Sequence, residues 1–137
     1  MDKAVILNKL ESLRRCVLRV EDKTPPSLAG LVSDADLQDI IVLNLERAVQ
    51  TSVDIALHVI SHLDVTPAET MRGSFETLRD AGYIDASTCT RMTKAVGFRN
   101  VAVHAYQEID WEIVYMMITK NMNDFRMFAQ QMNALVD

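Results

Sequence analysis

Apolar residues recur along the chain at spacings of three and four, the period of an α-helix. The pattern predicts a first helix over residues 2–22, with Leu13 and Val20 on its apolar side. Thr24-Pro25-Pro26 ends this helix, because proline lacks an amide hydrogen and clashes with the preceding turn.

A second and much longer helix is predicted from an N-cap at Ser33 to about Leu63. Its apolar side is unusually wide, and Leu43 and Leu57 extend it towards the polar side. A helix that is apolar over much more than about 100° of its circumference usually buries more than one face. Helices of the same chain could cover both faces, and so could a second subunit.

Three further helices follow. One spans about residues 68–81 and ends near Gly82, a natural stop signal. The next begins at Asp85 or Ser87 and runs to about Ala105, and the last spans about 111–135 behind a cap at Asp110. No segment is typical of a strand. We therefore expect an all-α, up-down bundle of about five helices, forming a single domain over residues 1–137.

Composition and charge narrow the possible folds and functions. Only 4 Gly, 3 Pro and 6% aromatics in 137 residues argue against a β-sandwich or barrel. The net charge of −5 argues against a broadly basic nucleic-acid surface but leaves room for a small local one. No apolar run is long enough to span a bilayer, and Met1 opens no signal-peptide pattern. Cys16 and Cys89 lie far apart with no CxxC spacing, which argues against a metal site or a disulfide framework and is compatible with a reduced, cytoplasmic setting.

Common catalytic motifs are absent. The chain has neither a GxxxxGK[ST] phosphate loop nor a GxSxG elbow. Asp54 and His58 are spaced for a shared metal ion on one helix face, but no second matching pair exists. We expect no metal and no cofactor.

Polar groups cluster instead in residues 98–106. Arg99 occupies an apolar stripe that includes Val103, and Tyr106 follows Arg99 by one heptad. Asn100 and His104 are neighbours on the adjoining helix face. A cation, an amide, an imidazole and a phenol are thus expected along one side of a helix end.

A structural explanation of this cluster is also open. A guanidinium that faces an interior or an interface must be paired, because an unpaired charge there is costly. Arg99 could form an ion pair with Asp54 or Glu46, and His104 could cap a backbone carbonyl.

The string RNVAVHAY resembles the Arg-x4-His-x-Tyr signature of the HEPN-domain toxins named HepT, whose partners are minimal nucleotidyltransferase (MNT) antitoxins. The segment LNLERAVQTSVDIALHVI resembles the long second helix of that family, and the order of five helices agrees across nearly the whole chain. By position, Arg99 and His104 match the catalytic pair, Asn100 the polar residue after the arginine, and Tyr106 the tyrosine that is modified with AMP.

The resemblance implies a HEPN-like fold and a ribonuclease toxin of a type II toxin–antitoxin system. Its substrate would be mRNA or tRNA, and a cognate nucleotidyltransferase antitoxin would neutralise it by AMP transfer to Tyr106. A histidine can act as proton acceptor or donor and an arginine can pair with phosphate, so His104 and Arg99 suit metal-independent RNA cleavage. Acid–base chemistry in two steps needs two proton-transferring groups, so a homodimer that pairs two copies of His104 is expected.

Two other classes fit the residues themselves. One is a non-catalytic dimeric helical adaptor, in which Arg99 and His104 only hold an interface together. The other is a regulatory subunit of a nucleotidyltransferase, in which Tyr106 is modified but no RNA is cleaved.

Overall fold

The computed structural model describes residues 1–136, which form seven α-helices and contain no strand. A 3₁₀ turn, Tyr106–Glu108, precedes α6, and a π-helical turn, Met117–Asn121, joins α6 to α7. None of the helices in this part of the chain is long and apolar enough to cross a membrane. The all-helical prediction is confirmed, whereas the count of about five is too low. The helices are α1 Lys3–Lys23, α2 Leu28–Val32, α3 Ala35–Ile60, α4 Met71–Asp80, α5 Ala86–His104, α6 Trp111–Met116 and α7 Asn123–Asn133.

The short helix α2 is the element that the sequence pattern misses, because five residues are too few to show a period. It begins at the N-cap Ser27 and is anchored by the buried side chain of Leu31. Ser33 closes α2, so the N-cap of α3 is Asp34, whose carboxylate accepts a hydrogen bond from the Leu37 amide at 3.1 Å. The predicted N-cap at Ser33 is therefore wrong by one residue.

Other helix ends follow local capping. Helix α3 ends at Ile60, earlier than predicted, and the Ser61 hydroxyl donates to the His58 carbonyl at 2.6 Å just beyond it. Helix α4 begins after its N-cap Thr70, later than predicted. Gly82 follows α4 with a φ of +83°, the left-handed conformation that favours glycine, so the predicted stop is confirmed.

Helix α3 lies at the centre of the fold and packs against α1, α2, α4, α5 and α7. Phe75 of α4 and Phe128 of α7 meet edge to face within the core, with ring centroids 5.4 Å apart. On α3, Leu43 and Leu57 are 44% and 40% exposed, while most of its other apolar residues are buried. Neighbouring helices therefore cover most of the wide apolar side, and its width alone does not require a second subunit.

Helix α5 contains most of the polar cluster predicted in residues 98–106, and hydrogen bonds join its first turn to α7. The Asp85 carboxylate caps α5 by accepting from the Thr88 amide at 2.7 Å, and this bond holds the pKa of Asp85 below its ordinary value. The Gln131 amide nitrogen donates to Asp85 at 2.9 Å and to the Thr88 hydroxyl at 3.0 Å. The start of α5 is thus hydrogen-bonded to α7, and its opposite end contains residues 98–104.

Candidate active site at the end of helix α5

The apolar stripe of α5 is only partly covered in its last turn. Met92 and Val96 are 0% and 1% exposed. Seven residues later on the same face, Arg99 is only half-buried and Val103 is 45% exposed. Ala102, next to Val103, is 4% exposed and belongs to the core. The stripe therefore keeps its predicted register, and the core covers only one side of its last turn.

Arg99 has no carboxylate partner among residues 1–136. Its guanidinium makes one long contact, 3.4 Å from Nη1 to Oδ1 of Asn100. Asp54 instead accepts from Gln50 at 3.0 Å and lies 4.0 Å from Lys9 Nζ. The alternative in which Asp54 or Glu46 pairs with Arg99 is therefore wrong for the described part of the chain. The guanidinium is available to an incoming anion.

Asn100 and His104 are both exposed, four residues apart on the outward side of α5. His104 is the last residue of the helix, and its ring forms no hydrogen bond within the described residues, so it caps no carbonyl there. Five residues separate it from Arg99, which corresponds to about 140° of rotation around the helix axis. Asn100 lies between them. The three groups therefore form a curved edge. They do not share one side of the helix, contrary to the sequence prediction.

Tyr106 lies outside the helix. Helix α5 ends at His104, and Ala105 turns the chain with φ −148° and ψ 54°, so the heptad relation of Tyr106 to Arg99 is broken. The Tyr106 hydroxyl donates to Oδ1 of Asp39 on α3 at 2.7 Å. Its ring meets Trp111 edge to face at 6.2 Å.

The surroundings of Tyr106 hold its phenol in the protonated form. Burial raises its pKa to about 12, and the hydrogen bond to Asp39 together with the charges of Asp39 and Glu46 acts in the same direction. Sequence reasoning did not single out Asp39. An aspartate on the polar side of a helix looks like a solvated charge, and its phenol partner is 67 residues away.

The candidate metal pair of the sequence has other partners. His58 Nε2 accepts from the Asp2 amide at 3.3 Å, and Asp54 is bound to Gln50. Residues 1–136 contain no group of three or more His, Cys, Asp or Glu side chains placed to share a metal ion.

An apolar groove of about 630 Å³ runs between α5 and the α6–α7 segment, lined in part by Phe98, Val101 and Ile113. It contains none of the four residues of the predicted site, so the groove and the edge formed by Arg99, Asn100 and His104 are separate features of α5.

The helical fold and the Arg-x4-His-x-Tyr segment together define a HEPN-like protein. The family model described as Ribonuclease HepT-like matches residues 7–132, and the chain belongs to this family. It is accordingly an enzyme of the ribonuclease class, as the resemblance implied.

Two relatives have been named for their activities. The mRNA nuclease HepT of Shewanella oneidensis is 31% identical over 130 residues, covering 95% of this chain and 97% of that protein. The tRNA nuclease HepT of Aphanizomenon flos-aquae is 24% identical over 134 residues, covering 98% and 91%. The two names assign different RNA substrates.

A solved structure extends the likeness to the fold. The tri-AMPylated Shewanella oneidensis HEPN toxin in complex with MNT antitoxin superimposes with a TM-score of 0.90 at 30% identity. The alignment covers 98% of this chain and 99% of that one. The HEPN-like architecture expected from the sequence is confirmed.

Proposed function

We propose that this chain is the toxin of a toxin–antitoxin pair and that it cleaves RNA, without a metal ion, at the edge formed by Arg99, Asn100 and His104. The observation that carries the assignment is the half-buried Arg99 guanidinium, which no carboxylate neutralises within residues 1–136. On a chain with a net charge of −5, such a cation is a local anion site, and RNA offers a phosphate.

The residue types support transphosphorylation by the RNA itself. His104 accepts the proton of the ribose 2′-OH, and that oxygen attacks the adjacent phosphorus. The guanidinium of Arg99 donates to the phosphoryl oxygens as negative charge accumulates on them. Asn100 lies between the two groups and can hold a phosphate oxygen or orient the imidazole. The products are a 2′,3′-cyclic phosphate and a free 5′-hydroxyl.

A homodimer completes the site, because the departing 5′-oxygen needs a proton from a second group. His104 of the partner subunit supplies it in this proposal. The support is Val103, an apolar side chain at the end of the α5 stripe that is 45% exposed. Burying it against a second copy removes apolar surface from water and brings two Arg99 residues towards one cleft.

Control by AMP transfer follows from the position of Tyr106. A cognate MNT antitoxin would transfer AMP from ATP to the phenol, two residues after His104. The added phosphate carries a negative charge that can occupy Arg99 and repel RNA. The protein would act in the cytoplasm, a setting with which the two free cysteines are consistent. Its substrate would be mRNA or tRNA.

The proposal is tested by incubating the pure protein with total cellular RNA in the presence of EDTA and mapping the product ends. We expect cleavage with cyclic phosphate ends in the chelator. The variant His104→Ala should lose activity by about 10²-fold or more while its circular dichroism and melting temperature remain close to wild type.

His62→Ala is the matched control. His62 is an exposed histidine at the end of α3, where Nδ1 contacts the His58 carbonyl at 2.9 Å, so it tests a histidine loss away from the site. Cleavage that requires an added divalent ion, or that persists unchanged in His104→Ala, contradicts the proposed mechanism.

A further inference from the structure

The hydrogen bond between Tyr106 and Asp39 is a link between the proposed modification site and the central helix. The Tyr106 hydroxyl donates to Asp39 Oδ1 at 2.7 Å, and the Tyr106 ring packs edge to face with Trp111. Asp39 is exposed and forms no ion pair within residues 1–136. Its carboxylate is therefore open to water on one side and in contact with the phenol on the other.

A phenol must lose its proton to become a phosphate ester. With the pKa of Tyr106 raised to about 12, only about one phenol in 10⁴ is ionised at pH 8. A transfer that waited for the free phenolate would be correspondingly slow. The reaction benefits from an acceptor that takes the proton while the new bond forms, as a carboxylate does for the substrate hydroxyl in protein kinases.

We propose that Asp39 is this acceptor, so that the toxin itself supplies the general base for its own AMP modification. The inference rests on the proposed function, in which Tyr106 receives AMP from an antitoxin that holds ATP and Mg²⁺. Asp39 is the carboxylate in direct contact with the reacting oxygen. Glu46 acts on Tyr106 only through its charge, since no hydrogen bond joins them.

AMP transfer forms one bond at the α-phosphorus of ATP and breaks another. Tyr106 Oη bonds to the α-phosphorus of ATP, and the bond from that phosphorus to the oxygen bridging the β-phosphate breaks. Pyrophosphate leaves with the electron pair of that bond. The phenolic proton passes to Asp39 Oδ1 and from there to water, because Asp39 is exposed. Asp39 is then ionised again.

The test compares wild type with Asp39→Asn, whose amide oxygen can still accept the hydrogen bond but is far too weak a base to take the proton. Each protein is incubated with saturating cognate antitoxin, ATP and Mg²⁺, and AMP addition is followed by intact mass between pH 6.5 and 9.5. We expect a loss of about 10²-fold at pH 7.

The pH profile separates proton acceptance from a structural role. Without its acceptor, Asp39→Asn should react through the free phenolate, so its rate should rise about tenfold per pH unit, while the wild-type rate stays nearly flat across this range. Glu46→Gln removes a nearby charge without removing the hydrogen bond, and it should remain within about threefold of wild type. RNA cleavage by Asp39→Asn should be unchanged.

Two results would overturn the role of Asp39. One is a rate within threefold of wild type, and the other is a lower rate with the wild-type pH profile, which indicates misplacement of Tyr106. If wild type gains no AMP on Tyr106 under these conditions while it still cleaves RNA, the proposed control fails, and the role of Asp39 fails with it. If wild type is modified and only the Asp39→Asn result is contrary, the proposed function stands.

Discussion

Replacing Tyr106 with phenylalanine should separate the toxic activity of this chain from its control. The substitution removes one oxygen atom, the one that donates to Asp39 at 2.7 Å, and leaves the ring in place against Trp111. Neither proton transfer assigned to His104 uses the phenol. Tyr106→Phe should therefore cleave RNA at close to the wild-type rate but gain no AMP.

The cost in stability can be judged from the site. A hydrogen bond to a charged acceptor contributes about 1.5–3 kcal/mol when it is buried. Tyr106 is 39% exposed and Asp39 is exposed, so water replaces much of the lost interaction. We expect a destabilisation of about 1 kcal/mol or less, which for a chain of this length lowers the melting temperature by no more than about 4 °C.

The assay combines three readings on one sample. Intact mass after incubation with the cognate antitoxin, ATP and Mg²⁺ reports AMP addition, cleavage of cellular RNA reports activity, and a thermal melt reports folding. Tyr115→Phe is the matched control, because it also loses one hydrogen bond, from its hydroxyl to the Pro25 carbonyl at 3.3 Å, which involves neither Tyr106 nor Asp39. It should be modified and silenced like wild type.

Two results would refute the reasoning. If Tyr106→Phe gains the same AMP mass and is silenced as fully as wild type, Tyr106 is not the switch. If a well-folded Tyr106→Phe is inactive before the antitoxin is added, the phenol takes part in RNA cleavage, and the separation of activity from control is wrong.

The remaining predictions concern the edge of α5. Arg99→Lys should lose nearly as much RNA cleavage as Arg99→Ala, because lysine keeps the charge but not the bidentate fork; full activity in Arg99→Lys would show that charge alone is enough. Val103→Asp should shift the protein towards a monomer in analytical ultracentrifugation and reduce cleavage with it, because a charge would enter the proposed interface. Leu57→Asp, an equally polar change at an exposed leucine of α3, is its control, and dissociation by Leu57→Asp alone would place the interface elsewhere.

The sequence by itself determined the features that depend on neighbouring residues. The N-cap at Asp110 and the stop at Gly82 are confirmed, and Asp85, one of the two positions predicted to open α5, is its N-cap. Each of these signals acts within a few residues of its own position. The boundary between α2 and α3 was missed at Ser33, where two helices abut and a single period cannot separate them.

The candidate site, too, depends partly on the local sequence and partly on the tertiary structure. The order Arg99, Asn100, His104, Tyr106 and the family that it indicates are contained in one short string of the sequence. Tertiary structure alone decided that Arg99 and Val103 lie at the edge of the core and that Arg99 has no carboxylate partner within residues 1–136. Helical periodicity records which residues share a face, but it does not record where the neighbouring helices stop.

Tyr106 shows the physical reason most clearly. Helical spacing placed it one heptad after Arg99, yet the helix ends at His104 and the phenol turns to Asp39 on α3. A contact between residues 67 positions apart arises from the packing of whole helices, and no local propensity encodes it. The residues of the proposed chemistry are therefore visible in the sequence, whereas the carboxylate that holds the proposed switch is visible only in the folded chain.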